Sequence, residues 1–205
     1  MRTWIWILWT AGIVLLTACT ARPTEPLAVA ACNGNLAEMD RLLAGGGAKD
    51  VPSALVWAAR SGQPASIDYL VKRGGDPNAT EGVNGWTVLM HAIHKDQPAS
   101  VAALLRDGAR VNARVSGGKT ALMMAAGYGY ADIVTLLLQH GADARLATDS
   151  GENALDMAVH GVADIDRFTY GRCELETVRV LRRFTPDLRP RKSDLKKCGT
   201  GELSN

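Results

Sequence analysis

Aromatic residues are scarce in this chain, at 5% of 205 residues, and three of its five tryptophans (Trp4, Trp6 and Trp9) lie in the first nine positions. A core filled by large rings is therefore excluded. The plentiful Ala, Leu and Gly suit short, closely packed helices joined by tight turns. Neither sign of charge dominates: 23 Lys and Arg stand against 21 Asp and Glu, a net charge of +2. Nothing in that balance calls for nucleic acid. Catalytic groupings are missing too. No Ser-His-acid or Cys-His set assembles, and the one metal-like spacing, His91 and His94 three apart with Asp96 behind, has no Cys or third His nearby in sequence. One packing and one surface histidine are the expectation there, with no metal, no cofactor and no small-molecule substrate.

The longest apolar run lies at the start, where Arg2 precedes Trp4 to Leu16, broken only by Thr10 and Gly12. It falls short of the roughly 20 residues that cross a bilayer and suits a cleaved targeting signal. The run ends in Leu16-Thr17-Ala18-Cys19, which resembles the bacterial lipobox. The resemblance implies a diacylglyceryl group on the Cys19 sulfur, cleavage before Cys19 and acylation of the new amino terminus, with residues 1–18 as lipoprotein signal peptide. More than one acyl chain is what durable anchoring requires. An ordinary secretory signal or an uncleaved anchor is the alternative. In Gram-negative sorting an Asp after the Cys retains the protein at the inner membrane, and Thr20 stands there instead. The resemblance thus implies an envelope protein facing the periplasm, at the outer membrane. Residues 19–25 form a short tether, with a reach of roughly 20 Å for Thr20 to Glu25 fully extended.

Removing residues 1–18 takes away Arg2 and no acid, leaving 22 basic and 21 acidic residues. With Cys19 lipidated, Cys32, Cys173 and Cys198 remain, in a compartment where disulfides persist. Cys173 and Cys198 are expected to pair, closing a loop worth about 3 kcal/mol in the chain-entropy picture. Cys32 is then left over; three reduced thiols is the alternative.

Self-similarity organises the rest. Leu27, Leu55, Leu89, Leu122 and Leu155 are separated by 28, 34, 33 and 33 residues, and an aliphatic pair follows the first four at Leu42-Leu43, Leu70-Val71, Leu104-Leu105 and Leu137-Leu138. Gly46, Gly74, Gly108 and Gly141 come next. The unit Lys119-Thr120-Ala121-Leu122-Met123-Met124-Ala125-Ala126-Gly127-Tyr128-Gly129 resembles the ankyrin repeat, whose period is about 33 residues. The family's His after the leucine is replaced by Ala28, Val56, Met90, Met123 and Asp156. The resemblance implies an all-α solenoid of about five helix-turn-helix repeats with short β-hairpin fingers over residues 26–184, and a basic tail over 185–205. Ser, Thr or an acid is expected as N-cap in each unit. The short first interval predicts a clipped finger around Ala48 to Pro52, and the late pair Val180-Leu181 predicts an insertion near 161–173.

Ser116-Gly117-Gly118-Lys119-Thr120 ends like a phosphate loop, but a working one follows a buried strand. Here a helix terminus and finger precede it, and Thr120 is the repeat's own threonine. The ankyrin resemblance instead implies protein binding, by finger residues and by the two positions after the paired alanines. Those are Lys49, Asp50, Val83, Asn84, Trp86, Ser116, Lys119 and Glu152, with Arg60, Ser61, His94, Lys95, Gly127, Tyr128 and His160. Trp86, His94 and Tyr128 among Arg60, Lys95, Arg114 and Lys119 are the expected contact residues, suited to an acidic partner surface. The functional expectation is a non-catalytic binder, most specifically an immunity protein or inhibitor neutralising a secreted antibacterial effector. A scaffold for an endogenous periplasmic enzyme, for example in oxidative defence, is the alternative. A metal-dependent enzyme using His91 and His94 or the insertion is the rival class.

Overall fold

The computed structural model describes residues 23–82, 84–161 and 173–190. Its helices come as consecutive pairs: α1 (Pro26–Cys32) with α2 (Leu36–Ala44), α3 (Val51–Arg60) with α4 (Pro64–Lys72), α5 (Val88–His94) with α6 (Pro98–Arg106), α7 (Ala121–Tyr128) with α8 (Ala131–Gln139), and α9 (Ala154–His160) with α10 (Leu175–Phe184). First members pack on first members as an inner layer, and second members on second members as an outer layer. The all-α solenoid implied by the ankyrin resemblance is what forms.

The core is the seam between repeats. Leu27, Leu55, Leu89, Leu122 and Leu155 are all buried, as are Ala31, Ala58, Ala59, Ala125 and Ala126, which let neighbouring inner helices approach closely. No single pair has enough apolar surface to fold alone, so each repeat's burial is completed by the next.

Capping departs from expectation at the start of the stack. Thr87 and Thr120 accept from the backbone amides of Met90 and Met123, each at 3.3 Å, and Asn153 forms a capping box with Asp156. Glu25 and Asp50 make no side-chain cap. Pro26 and Pro52 open those two helices instead, their fixed φ suiting the first turn, where a missing N–H costs nothing.

The fingers are graded. Between repeats one and two a 3₁₀ turn, Gly47–Asp50, runs straight into α3, the clipped connection that the short interval predicts. Between two and three, β1 (Thr80–Glu81) and β2 (Trp86–Thr87) pair antiparallel, Thr80 opposite Thr87 and Glu81 opposite Trp86. The next finger carries a 3₁₀ turn, Ser116–Gly118, and the fourth closes by a bridge between Ala147 and Asn153. Asn78 and Asn112 knit fingers together, accepting from the amides of Arg110 (2.7 Å) and Asp143 (2.9 Å) and donating to the carbonyls of Gly108 and Gly141. Arg145 stands one repeat further on and reaches Asp187 (2.7 Å), tying the segment after α10 to the stack.

One register row of the outer helices shows how the stack is bounded. Ser66, Ser100, Ile133 and Thr177 are buried, whereas Glu38, their counterpart in repeat one, is half-buried and takes both its oxygens to Arg41 (2.5 and 2.8 Å). The hydroxyls of Ser66, Ser100 and Thr177 find no hydrogen-bond partner. The calls on residues 1–22, Val83, 162–172 and 191–205, Cys19 and Cys198 among them, lie outside the described residues. Cys173 is disulfide-bonded.

Two substitutions test the seam. Ser100→Ala removes an unsatisfied buried hydroxyl and should raise stability by about 1 kcal/mol. Leu122→Ala should cost about 2–5 kcal/mol. Urea unfolding followed by circular dichroism reads both.

Candidate protein-binding site

Five rings form a continuous ladder across repeats three and four. Trp86, on β2, packs against His91 and His94 of α5 with centroids 5.7 and 5.2 Å apart. His94 lies 5.8 Å from Tyr128 at the end of α7, its Nδ1 3.0 Å from the Tyr128 hydroxyl. Tyr128 stacks on Tyr130 at 5.5 Å and 28°. Trp86, His94, Tyr128 and Tyr130 are half-buried, so each offers ring surface to solvent while its backbone is fixed by a strand or helix end. Such partly exposed, pre-ordered aromatic groups are effective contact anchors. The sequence-predicted Trp86, His94 and Tyr128 are thereby brought together.

The basic residues are less concentrated than the sequence suggests. Arg60 lies 5.1 Å from the ring of Trp57, three residues earlier on α3. Arg114 is pulled toward the next finger, where its Nη2 is 3.5 Å from Asp149 Oδ1. Lys95 caps the end of α5 and Lys119 is exposed just before α7. Acids intervene as well. Partial desolvation raises the Glu81 carboxyl above its usual range, with Glu25 adding to the effect and Arg60 opposing it. Glu152 Oε1 sits 4.0 Å from His160 Nδ1. The face is mixed in charge around an aromatic centre.

His91 differs from its neighbours. Two residues after each aligned leucine stand Val29, Trp57, His91, Met124 and Met157, a row whose other members are apolar. The His91 ring is 9% exposed, and Nε2 lies 3.3 Å from the Glu81 carbonyl, which it must donate to. Burial is the largest cause that pushes its pKa down to about 4, with the charges of Arg60 and His94 adding to it and the Glu81 carbonyl opposing. One packing and one surface histidine were expected here, and His91 is the buried one and His94 the half-buried one; Trp57, in the same row, was not among the expected site residues. Among the described residues no group of three His, Cys, Asp or Glu is placed to hold a metal.

Elsewhere, the loop before α7 is spent on internal bonds. The Gly118 amide donates to Val115 (2.9 Å), the Gly117 carbonyl accepts from Asp149 (3.0 Å), and Thr120 caps α7. A depression of about 360 Å³ lies between α8 and α10 in the outer layer, lined by Thr135, Gln139, Val180, Arg183 and Phe184, with no acid or imidazole for proton transfer. Cys32 Sγ is 2.9 Å from Ser61 Oγ, which donates to the Trp57 carbonyl.

A stack of helix pairs presenting fingers and inner-helix ends defines a repeat solenoid that works as a binding surface. The chain belongs to the ankyrin repeat family: family models for ankyrin repeats match residues 27–115, as three copies, and 104–158, as many copies. It is similar to the ankyrin repeat and KH domain-containing protein mask-1 of Caenorhabditis elegans, 35% identical over 153 residues, which is 71% of this chain and 6% of that protein. It is also similar to the B-cell lymphoma 3 protein homolog of Mus musculus, 33% identical over 106 residues, 52% of this chain and 24% of that one. A third relative, an ankyrin repeat-containing protein of Treponema pallidum, is 31% identical over 108 residues, 53% of this chain and 35% of its own. In each case the matched stretch spans well under two thirds of the relative. Ankyrin repeats imply protein partners, and the family is largely one of non-catalytic binding proteins.

Asp96 tests the edge of this site. In the first four repeats the turn between paired helices uses a left-handed residue, Gly34, Gly62 and Gly129 in the first, second and fourth but Asp96 (φ 54°) in the third. Asp96→Gly should raise stability by up to about 1 kcal/mol by relieving that conformation. Tyr128→Phe, which removes the hydroxyl from His94, should lower it by about 1 kcal/mol. Thermal unfolding of the two variants gives both numbers.

Proposed function

We propose that this chain is a lipid-anchored protein of the bacterial envelope, facing the periplasm from the outer membrane, that uses its ring ladder to hold another protein. Its most specific form is an immunity protein or inhibitor that neutralises a secreted antibacterial effector. The observation that carries the binding role is the half-buried ladder Trp86, His94, Tyr128 and Tyr130 on one face of an ankyrin stack. What supports the anchor is the apolar run ending at Leu16-Thr17-Ala18-Cys19, a few residues before α1. A blocker fixed to the membrane meets an incoming effector at the surface under attack. In this reading the partner's contact surface is acidic, matched to Arg60, Lys95, Arg114 and Lys119, although Arg114 is drawn toward Asp149 of the next finger. Cys173 pairs with Cys198 in this reading.

Deleting the gene and challenging the cells with a neighbour's effector should produce intoxication; unaffected survival rules out immunity. Intact mass of the membrane-extracted protein should include acyl groups that Cys19→Ser abolishes. With the cognate effector in hand, Trp86→Ala should weaken binding by about 2 kcal/mol, roughly 30-fold. Reversing Arg60, Lys95 and Lys119 to Glu should weaken it further and reduce its salt dependence. Unchanged affinity moves the contact to another face. Recovery of an endogenous envelope enzyme in place of an effector selects the scaffold role.

A further inference from the structure

His91 is the one polar member of an otherwise apolar row, and it is fastened to the only two-stranded finger among the described residues. Its Nε2 donates to the Glu81 carbonyl of β1 at 3.3 Å, and its ring packs 5.7 Å from Trp86 of β2. Nδ1, on the other side of the ring, is buried with no hydrogen-bond partner. One imidazole therefore holds both strands of the hairpin to α5, and it holds them only while neutral, since nothing receives a second proton.

We propose that His91 is an acid-sensitive latch, which keeps the β1–β2 finger and Trp86 seated at neutral pH and releases them on acidification, so that the binding face comes apart while the stack persists. The inference rests on the ladder being the binding face, but its test needs no partner.

The surroundings give the sign. The charged and titratable groups facing His91 are Arg60 from α3 and His94 from its own helix, both of which oppose an imidazolium. β1 supplies a carbonyl, β2 an indole, and α7 contributes Tyr128, which engages His94. Burial holds the ring's pKa at about 4, against 6.5 for a ring in solvent. The closed finger is thus fully favoured above about pH 6.5 and loses that preference as pH falls toward 4, because the released ring takes the proton. Glu81 works against the latch, since burial disfavours its carboxylate in the seated finger and protonation relieves that cost. Glu81 is exposed on β1, whereas the His91 ring is buried, so the imidazole sets the direction. The finger itself has little to resist with, since two residue pairs make the ladder and Thr80, Glu81, Gly82 and Asn84 are exposed.

Amide hydrogen exchange of the full chain, corrected for the intrinsic rate at each pH, tests the latch. Between pH ~7 and pH ~4.5, protection of residues 79–88 should fall on the order of tens-fold, while that of α7 stays within a few-fold. His91→Gln keeps an N–H donor for the Glu81 carbonyl but does not titrate, and should remove the differential loss. His91→Met, the residue of this row in repeats four and five, should do the same with packing retained. The proposal is overturned if the finger keeps its protection at pH ~4.5, if all repeats lose protection together, or if the differential loss survives in both variants. None of these outcomes bears on whether a partner binds the ladder at neutral pH, which the affinity of Trp86→Ala decides.

Discussion

Everything in this molecule depends on burial shared between neighbours. Leu27, Leu55, Leu89, Leu122 and Leu155 each fill space that the adjacent pair leaves open, and buried alanines such as Ala31, Ala59 and Ala126 set how closely the inner helices approach. A helix pair of this size carries too little apolar surface to hold itself, so stability rises with each interface added. The same constraint determines what is left for function. Inner-helix ends and fingers are the parts not consumed by stacking, and there the rings gather.

The repeat architecture was legible because a fixed period is a strong signal even where each motif is degraded. The leucines, the aliphatic pairs and the glycines past the outer helices marked five units, and the short first interval marked the clipped finger. That Trp86, His94 and Tyr128 stand at finger and inner-helix-end positions was legible from the family resemblance. Their mutual contact was not, since it depends on how far α5 and α7 turn relative to each other. Arg114 shows the opposite case. Its register placed it with the basic centre, but Asp149, 35 positions later, draws it to the next finger. The hydroxyl or acid cap expected in every unit is absent from the first two, where Glu25 and Asp50 precede the helices without capping them and a proline stands in the first turn. Asp96 was legible but not read: seven residues after the aligned leucines stand Gly34, Gly62, Asp96 and Gly129, so the third repeat visibly lacks its glycine.

His91 joins these levels. In the row of Val29, Trp57, Met124 and Met157 an apolar side chain would pack more simply. The imidazole instead connects a marginal hairpin to a helix that the stack makes rigid, and it sits at a depressed pKa because the surrounding burial favours the uncharged ring. Local stability at the finger is thereby made conditional in a way that global stability is not.

The ion pair of Glu38 with Arg41 has a consequence for how the molecule meets its own kind. In later repeats the same two positions hold Ser66 and Tyr69, Ser100 and Ala103, or Ile133 and Leu136; Ser66, Ser100, Ala103 and Ile133 are buried, and Tyr69 donates to Asp40 of the preceding outer helix. A first repeat that repeated that pattern would present an adhesive flank, and copies crowded together could line up head to tail into an open filament. A bound carboxylate and guanidinium, with their hydration to lose, make that flank a poor seat for another copy. That flank of the stack is thus closed by its own chemistry.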